Sequence, residues 1–128
     1  MLGTLAAIAS GGALGAVSRY SVNLAATYWM GHGFPWGTLA VNITGSFLMG
    51  ILIAVFAHIW HPPETWRLFF VTGFLGGFTT FSTFSLDIVT LYERGEMLSA
   101  GIYGVASVVL SISALFAGMV LVRYLSAA

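Results

Sequence analysis

Apolar residues run along the chain in four long stretches, and polar or helix-breaking residues collect in the three gaps between them. The stretches cover about Leu2 to Met30, Trp36 to Ile59, Leu68 to Tyr92 and Met97 to Leu125. A helix that crosses a bilayer needs roughly 20 mostly apolar residues, and each stretch meets that length. The gaps are Gly31-His32-Gly33-Phe34-Pro35, the segment His58 to Arg67 with Pro62-Pro63 inside it, and Glu93-Arg94-Gly95-Glu96. Gly and Pro at these places end helices. Trp36, Trp60, Trp66, Tyr92 and Tyr124 fall near span ends, where amphipathic rings favour the headgroup zone. The pattern predicts an all-α integral membrane fold, a single domain of four transmembrane helices over residues 1–128.

Composition narrows the class further. Of 128 residues 59% are hydrophobic and 6% charged, against about 25% charged in a soluble domain; the mean hydropathy is +0.97. So few charges cannot cover a water-facing surface, which argues against a soluble enzyme, a zinc-finger-type site and a nucleic-acid binder. With no cysteine, a disulfide scaffold is excluded as well. The opening MLGTLAAIAS lacks a basic region and its apolar run continues past Ser10, so it reads as a retained span rather than a cleaved signal.

The four basic residues are all Arg and the formal net charge is zero. Four spans place Arg67 and Arg123 on one side and Arg94 on the other, with Arg19 inside the first span. That is almost no positive-inside bias. A chain that inserts both ways up makes an antiparallel, inverted homodimer available. Gly11 with Gly15, and Gly12 with Ala16, are spaced for close approach of helices in lipid.

Polar groups inside the spans are arranged rather than scattered. Thr38, Asn42 and Ser46 share one face of the second span, and Tyr103, Ser107 and Ser111 one face of the fourth, each set at four-residue intervals. Such groups in hydrocarbon need partners or water. All are neutral hydrogen-bond donors, a combination suited to a small anion that must pass without sticking. The third span reads Gly73-Phe74-Leu75-Gly76-Gly77-Phe78-Thr79-Thr80-Phe81-Ser82-Thr83-Phe84-Ser85. Its Gly pair costs about 1 kcal/mol per residue against Ala in a helix, and Thr80 is the midpoint of the span. A third helix broken at the bilayer midplane is therefore expected, and transport proteins place ion sites at such breaks. Phe81 and Phe84 share a face there; ring edges are electropositive and give an anion a weak contact. Arg19 is costly in a span, about 2.5–3.5 kcal/mol at a helix centre, so it must reach a watery vestibule, snorkel or pair with an acid.

With these residues the chain resembles the CrcB/Fluc family of fluoride channels. The likeness runs through the Gly-rich first span with Arg19, the Trp36-Gly37-Thr38-Leu39-Ala40-Val41-Asn42 stretch and, most specifically, Gly73 to Ser85. The resemblance implies a dual-topology homodimer with two pores that passively releases cytoplasmic fluoride across the inner (plasma) membrane of a microbe. It implies a structural sodium ion at the dimer centre, held by main-chain carbonyls matching Gly76 and Thr79. The pore positions it implies are Asn42, Phe81, Ser82, Thr83, Phe84, Tyr103, Ser107 and Ser111, with Arg19 at the vestibule. Asp87 stands where many relatives carry Glu, which shortens the reach of that carboxylate.

The rival reading is a proton-coupled exporter of small cations, also a four-span, dual-topology dimer. It requires an acid in the membrane to exchange protons for cargo, and Asp87 is the only acid within a span. A structural assembly subunit is a third reading. His58 and His61, beside Pro62-Pro63-Glu64, have no nucleophile, base or metal set around them, so an enzyme is not expected.

Overall fold

The computed structural model describes residues 1–127, and these are helical, with no strand among them. Helix α1 covers Leu2–Met30 and α2 covers Trp36–His58. The third helical span, Glu64–Glu93, is composite. It contains α3 (Glu64–Arg67), a π-helical segment (Leu68–Leu75), α4 (Gly76–Phe78) and α5 (Phe81–Glu93). Helix α6, Met97–Ala127, is the last described element. Three helical spans, Trp36–His58, Glu64–Glu93 and Met97–Ala127, are long and apolar enough to cross a membrane. The protein is thus an all-helical, multi-pass membrane protein. Helix α1 has the length, at 29 residues, but is not among these three; Ser10, Ser18, Arg19, Ser21, Asn23 and Thr27 dilute its apolar surface.

The helix ends follow local chemistry. Gly31 takes φ 79° and its N–H donates to the Thr27 carbonyl at 2.9 Å, closing α1; Gly95, at φ 80°, makes the turn before α6. Such angles cost a residue with a Cβ. The second loop is shorter than the proline pair suggested. Pro63 has φ −56° and caps α3, and its carbonyl accepts from Trp66 at 3.1 Å and Arg67 at 3.2 Å. Proline fits just before a helix because its fixed φ is already suitable and its missing N–H goes unused there. Arg67, expected in the loop, therefore lies in the first turn of the third span.

Glycine sets the packing. A Cβ at Gly15 would strike the Phe74 carbonyl, one at Gly77 would sit 2.6 Å from the Gly12 carbonyl, and one at Gly73 2.9 Å from the Ile8 carbonyl. Both small-residue pairs of α1 thus lie against the π-helical segment and α4, backbone on backbone. Helix α2 meets α6 the same way: a Cβ at Gly50 would strike the Leu115 carbonyl, and one at Gly118 the Phe47 carbonyl. Between these pairs, Leu39, Leu91 and Tyr103 form the buried cluster that joins α2, α5 and α6, with Phe34, Ile43 and Phe84 packed on it.

Candidate functional site

Helical geometry stops at Phe78 and resumes at Phe81. Thr79, at φ −87° and ψ 157°, and Thr80, at φ −154° and ψ 124°, are extended, the conformation β-branched residues favour. The glycine pair is not the point of interruption. Gly76 and Gly77 are helical, and Gly77 serves the close contact with Gly12. The two threonines that follow carry the change of direction.

Side chains hold this extended pair in place. Asn42, on α2, bonds both backbone groups of Thr80: its Oδ1 accepts from the N–H at 2.9 Å and its Nδ2 donates to the carbonyl at 3.1 Å. Thr80 Oγ1 in turn accepts from the Thr83 N–H at 3.2 Å and caps α5. The Leu75 carbonyl accepts from the Thr79 N–H at 3.0 Å and from Thr79 Oγ1 at 2.9 Å. Arg19 Nε donates to the Gly77 carbonyl at 3.0 Å. In an unbroken helix Thr80 N–H would bond the Gly76 carbonyl. Because Asn42 has taken that donor, the Gly76 carbonyl is released, on a residue exposed in the single chain.

Two cavities flank the start of α5. One, of about 260 Å³, lies under the first loop and is lined by Asn23, Thr27, His32, Thr38, Thr83 and Asp87 together with Thr90 and Arg94. The other, of about 390 Å³, is bounded by Asn42, Ser46, Thr80, Phe81, Phe84, Ser107 and Ser111. Phe84, on the second cavity, packs against Tyr103, which lines neither. The Tyr103 ring is fully buried, 5.2 Å from the Phe84 centroid and 5.5 Å edge-on to Phe34, while its hydroxyl donates at 2.9 Å to Oδ2 of Asp87, a residue of the first cavity's lining. Phe81 lies 5.5 Å from Phe84 and is 77% exposed.

The hydroxyls of Ser107 and Ser111 are buried and have no hydrogen-bond partner among the described residues. Buried polar groups are normally paired, and an unpaired one costs about 1–3 kcal/mol. Unspent donors lining a cavity are what a ligand would use.

The expected positions divide between these features. Asn42, Phe81, Phe84, Ser107 and Ser111 come together around the larger cavity, and Thr83 lies on the smaller one. Tyr103 lines neither, and its proton is committed to Asp87. Ser82 is exposed, with its hydroxyl 3.3 Å from that of Thr80. Arg19 meets neither an acid nor the lining of the loop-side cavity; its partner is a backbone carbonyl. Sequence reasoning passed over Thr80 as a cap and over Asn23 and Thr27, although Arg19, Asn23 and Thr27 repeat every four residues on α1. Among the described residues no three His, Asp or Glu side chains converge as metal ligands. A cation here would have to use the neutral oxygens at the interruption.

Comparison with known proteins gives a concordant answer. The family described as CrcB-like protein, Camphor Resistance (CrcB), matches residues 6–119. A protein of Nitrobacter winogradskyi named fluoride-specific ion channel FluC is 56% identical over 117 residues, 91% of this chain and 93% of its own. Proteins of the same name in Rhodospirillum centenum and Agrobacterium fabrum are 50% and 53% identical, covering 91% and 94% of this chain and 93% and 97% of theirs. With its Gly73–Ser85 segment inside a match that spans most of its length, the chain belongs to the CrcB family.

Proposed function

We propose that this protein is a passive, fluoride-selective channel that lets cytoplasmic fluoride leave a microbial cell through the inner membrane. It works as an inverted homodimer of four-span chains, with two pores. The observation that carries the reading is the larger cavity, lined by Ser107, Ser111, Phe81 and Phe84, with the buried hydroxyls of the two serines unpaired among the described residues. A small halide entering that space sheds water and gains neutral O–H donors and ring edges in exchange. Neither carries a full charge, so the ion is held weakly enough to move on. Asn42 has one N–H beyond the one it gives Thr80, and that remaining donor belongs to the same path. The names of the relatives support a channel over an enzyme, and do not favour the proton-coupled exporter.

The interruption in the third span lies near the bilayer midplane and near the axis of the dimer. There the carbonyls of Gly76 and Thr79 from both copies hold a structural sodium ion. The chemistry of the donors fits: they are neutral, hard oxygens, and Gly76 lacks its helical donor. A bound sodium supplies a fixed positive charge that nearby anions feel.

Anion efflux from liposomes holding the purified protein tests the proposal. Fluoride is expected to leave without a proton gradient and chloride to be retained. Phe81→Ile and Asn42→Asp should each slow fluoride by about tenfold or more, the rate equivalent of ~1.4 kcal/mol, while the protein remains a dimer. Equal leakage of chloride would overturn the claim of selectivity, and undiminished flux in both variants would overturn the path.

A further inference from the structure

The carbonyls around the interruption are sorted by the side chains that reach them. The Thr80 carbonyl is taken by Asn42 Nδ2 at 3.1 Å, the Gly77 carbonyl by Arg19 Nε at 3.0 Å and the Leu75 carbonyl by Thr79 itself. Those of Gly76, Phe78 and Thr79 receive no such bond among the described residues; Phe78 is buried, whereas Gly76 is exposed in the single chain. For Gly76 the cause is specific, because Thr80 N–H, its natural helical partner, is drawn 2.9 Å from Asn42 Oδ1. The same amide lines the larger cavity. From this double engagement we infer that Asn42 is a positioning residue for cation binding as well as part of the anion path. By capturing the Thr80 N–H it keeps the Gly76 oxygen open to a hard monovalent cation. One side chain thereby ties the integrity of the anion path to occupancy of the cation site. The inference rests on the proposed sodium site and adds to it the side chain that prepares it.

The physical consequence is a competition. Without an acceptor at position 42, Thr80 N–H returns to the Gly76 carbonyl, the helix closes, and sodium must break a hydrogen bond to bind. A lost competition of that size corresponds to about tenfold in sodium affinity. The test is thermal unfolding of the detergent-purified dimer while sodium chloride replaces N-methylglucamine chloride at constant ionic strength. Wild type is expected to gain stability with a sodium midpoint, Asn42→Leu to need about tenfold more sodium, and Asn42→Asp to need no more than wild type. The aspartate keeps the acceptor for Thr80 N–H although it obstructs the anion path. Ser111→Ala, which lines the cavity but makes no hydrogen bond to the interruption among the described residues, should retain the wild-type midpoint. A folded Asn42→Leu dimer with an unchanged midpoint would overturn the inference alone. If Asn42→Leu does not assemble, a raised midpoint in Asn42→Asp overturns it instead. A wild-type dimer indifferent to sodium would overturn the sodium reading beneath it.

Discussion

At Ser107 and Ser111 two hydroxyls are buried without partners among the described residues, an arrangement unfavourable to stability unless something else uses it. Replacing either by alanine removes an unsatisfied group at little cost in volume. Ser107→Ala and Ser111→Ala are expected to leave the melting temperature unchanged or slightly higher, while fluoride efflux falls by about tenfold. Loss of both flux and stability would assign these hydroxyls to packing. Tyr103 should behave in the opposite way. Its hydroxyl serves Asp87, and its ring is fully buried against Phe34 and Phe84. Tyr103→Phe keeps the ring and removes that hydrogen bond, and because Asp87 lines the loop-side cavity unfolding should become easier by only about 0.5–1.5 kcal/mol, the net worth of a typical hydrogen bond; chemical denaturation in detergent checks this. The four-residue spacing placed Tyr103, Ser107 and Ser111 on one helix face. Which of the three had its proton already engaged depended on Asp87, sixteen positions away on another helix.

Among the elements, the third span owes its course to contacts on both sides. Its first half lies backbone to backbone on α1 through Gly11, Gly15, Gly73 and Gly77, and its second half starts where Asn42 and the Thr80 cap hold an extended pair. Gly15→Ala puts a methyl group into the Phe74 carbonyl, which cannot yield as a flexible side chain does. A loss of about 1–3 kcal/mol is expected, as for other overpacked contacts. Gly3, in the same helix, has nothing within 4 Å of its added Cβ. Gly3→Ala should be neutral or stabilising by up to about 1 kcal/mol from helix propensity. Thermal unfolding of the two variants side by side separates interhelical fit from propensity. The density of glycine and β-branched residues around Thr80 was legible from the chain, but the glycines alone do not distinguish a softened helix from a tight contact. Their Cβ-free faces are spent on α1, and the turn away from helical geometry falls on Thr79 and Thr80 instead.

For the whole molecule, the charges decide insertion. In the proposed four-span arrangement Arg67 and Arg123 oppose Arg94, while Arg19 is engaged with the Gly77 carbonyl. So small a bias is expected to let the chain insert in both orientations, which is the population an inverted dimer needs. Reporters fused to the C-terminus should be active on both sides of the membrane in comparable amounts. Adding three lysines to the His58–Pro63 turn should drive nearly all copies one way and reduce fluoride efflux with them. A reporter active on one side only, in the unaltered chain, would remove the inverted dimer.

The linear order of residues was sufficient for the membrane class, the all-helical fold and the faces that carry hydroxyls, because these depend on composition and on a 3.6-residue period. It was sufficient, too, for the family, through the Gly73–Ser85 segment. Partnership was decided only in three dimensions. Arg19 found a carbonyl 58 positions away, and Asn42 found the backbone of a residue 38 positions away. A hydrogen bond is fixed by where donor and acceptor are brought within 3 Å or so, and no periodicity along a chain specifies which distant backbone group will be left open.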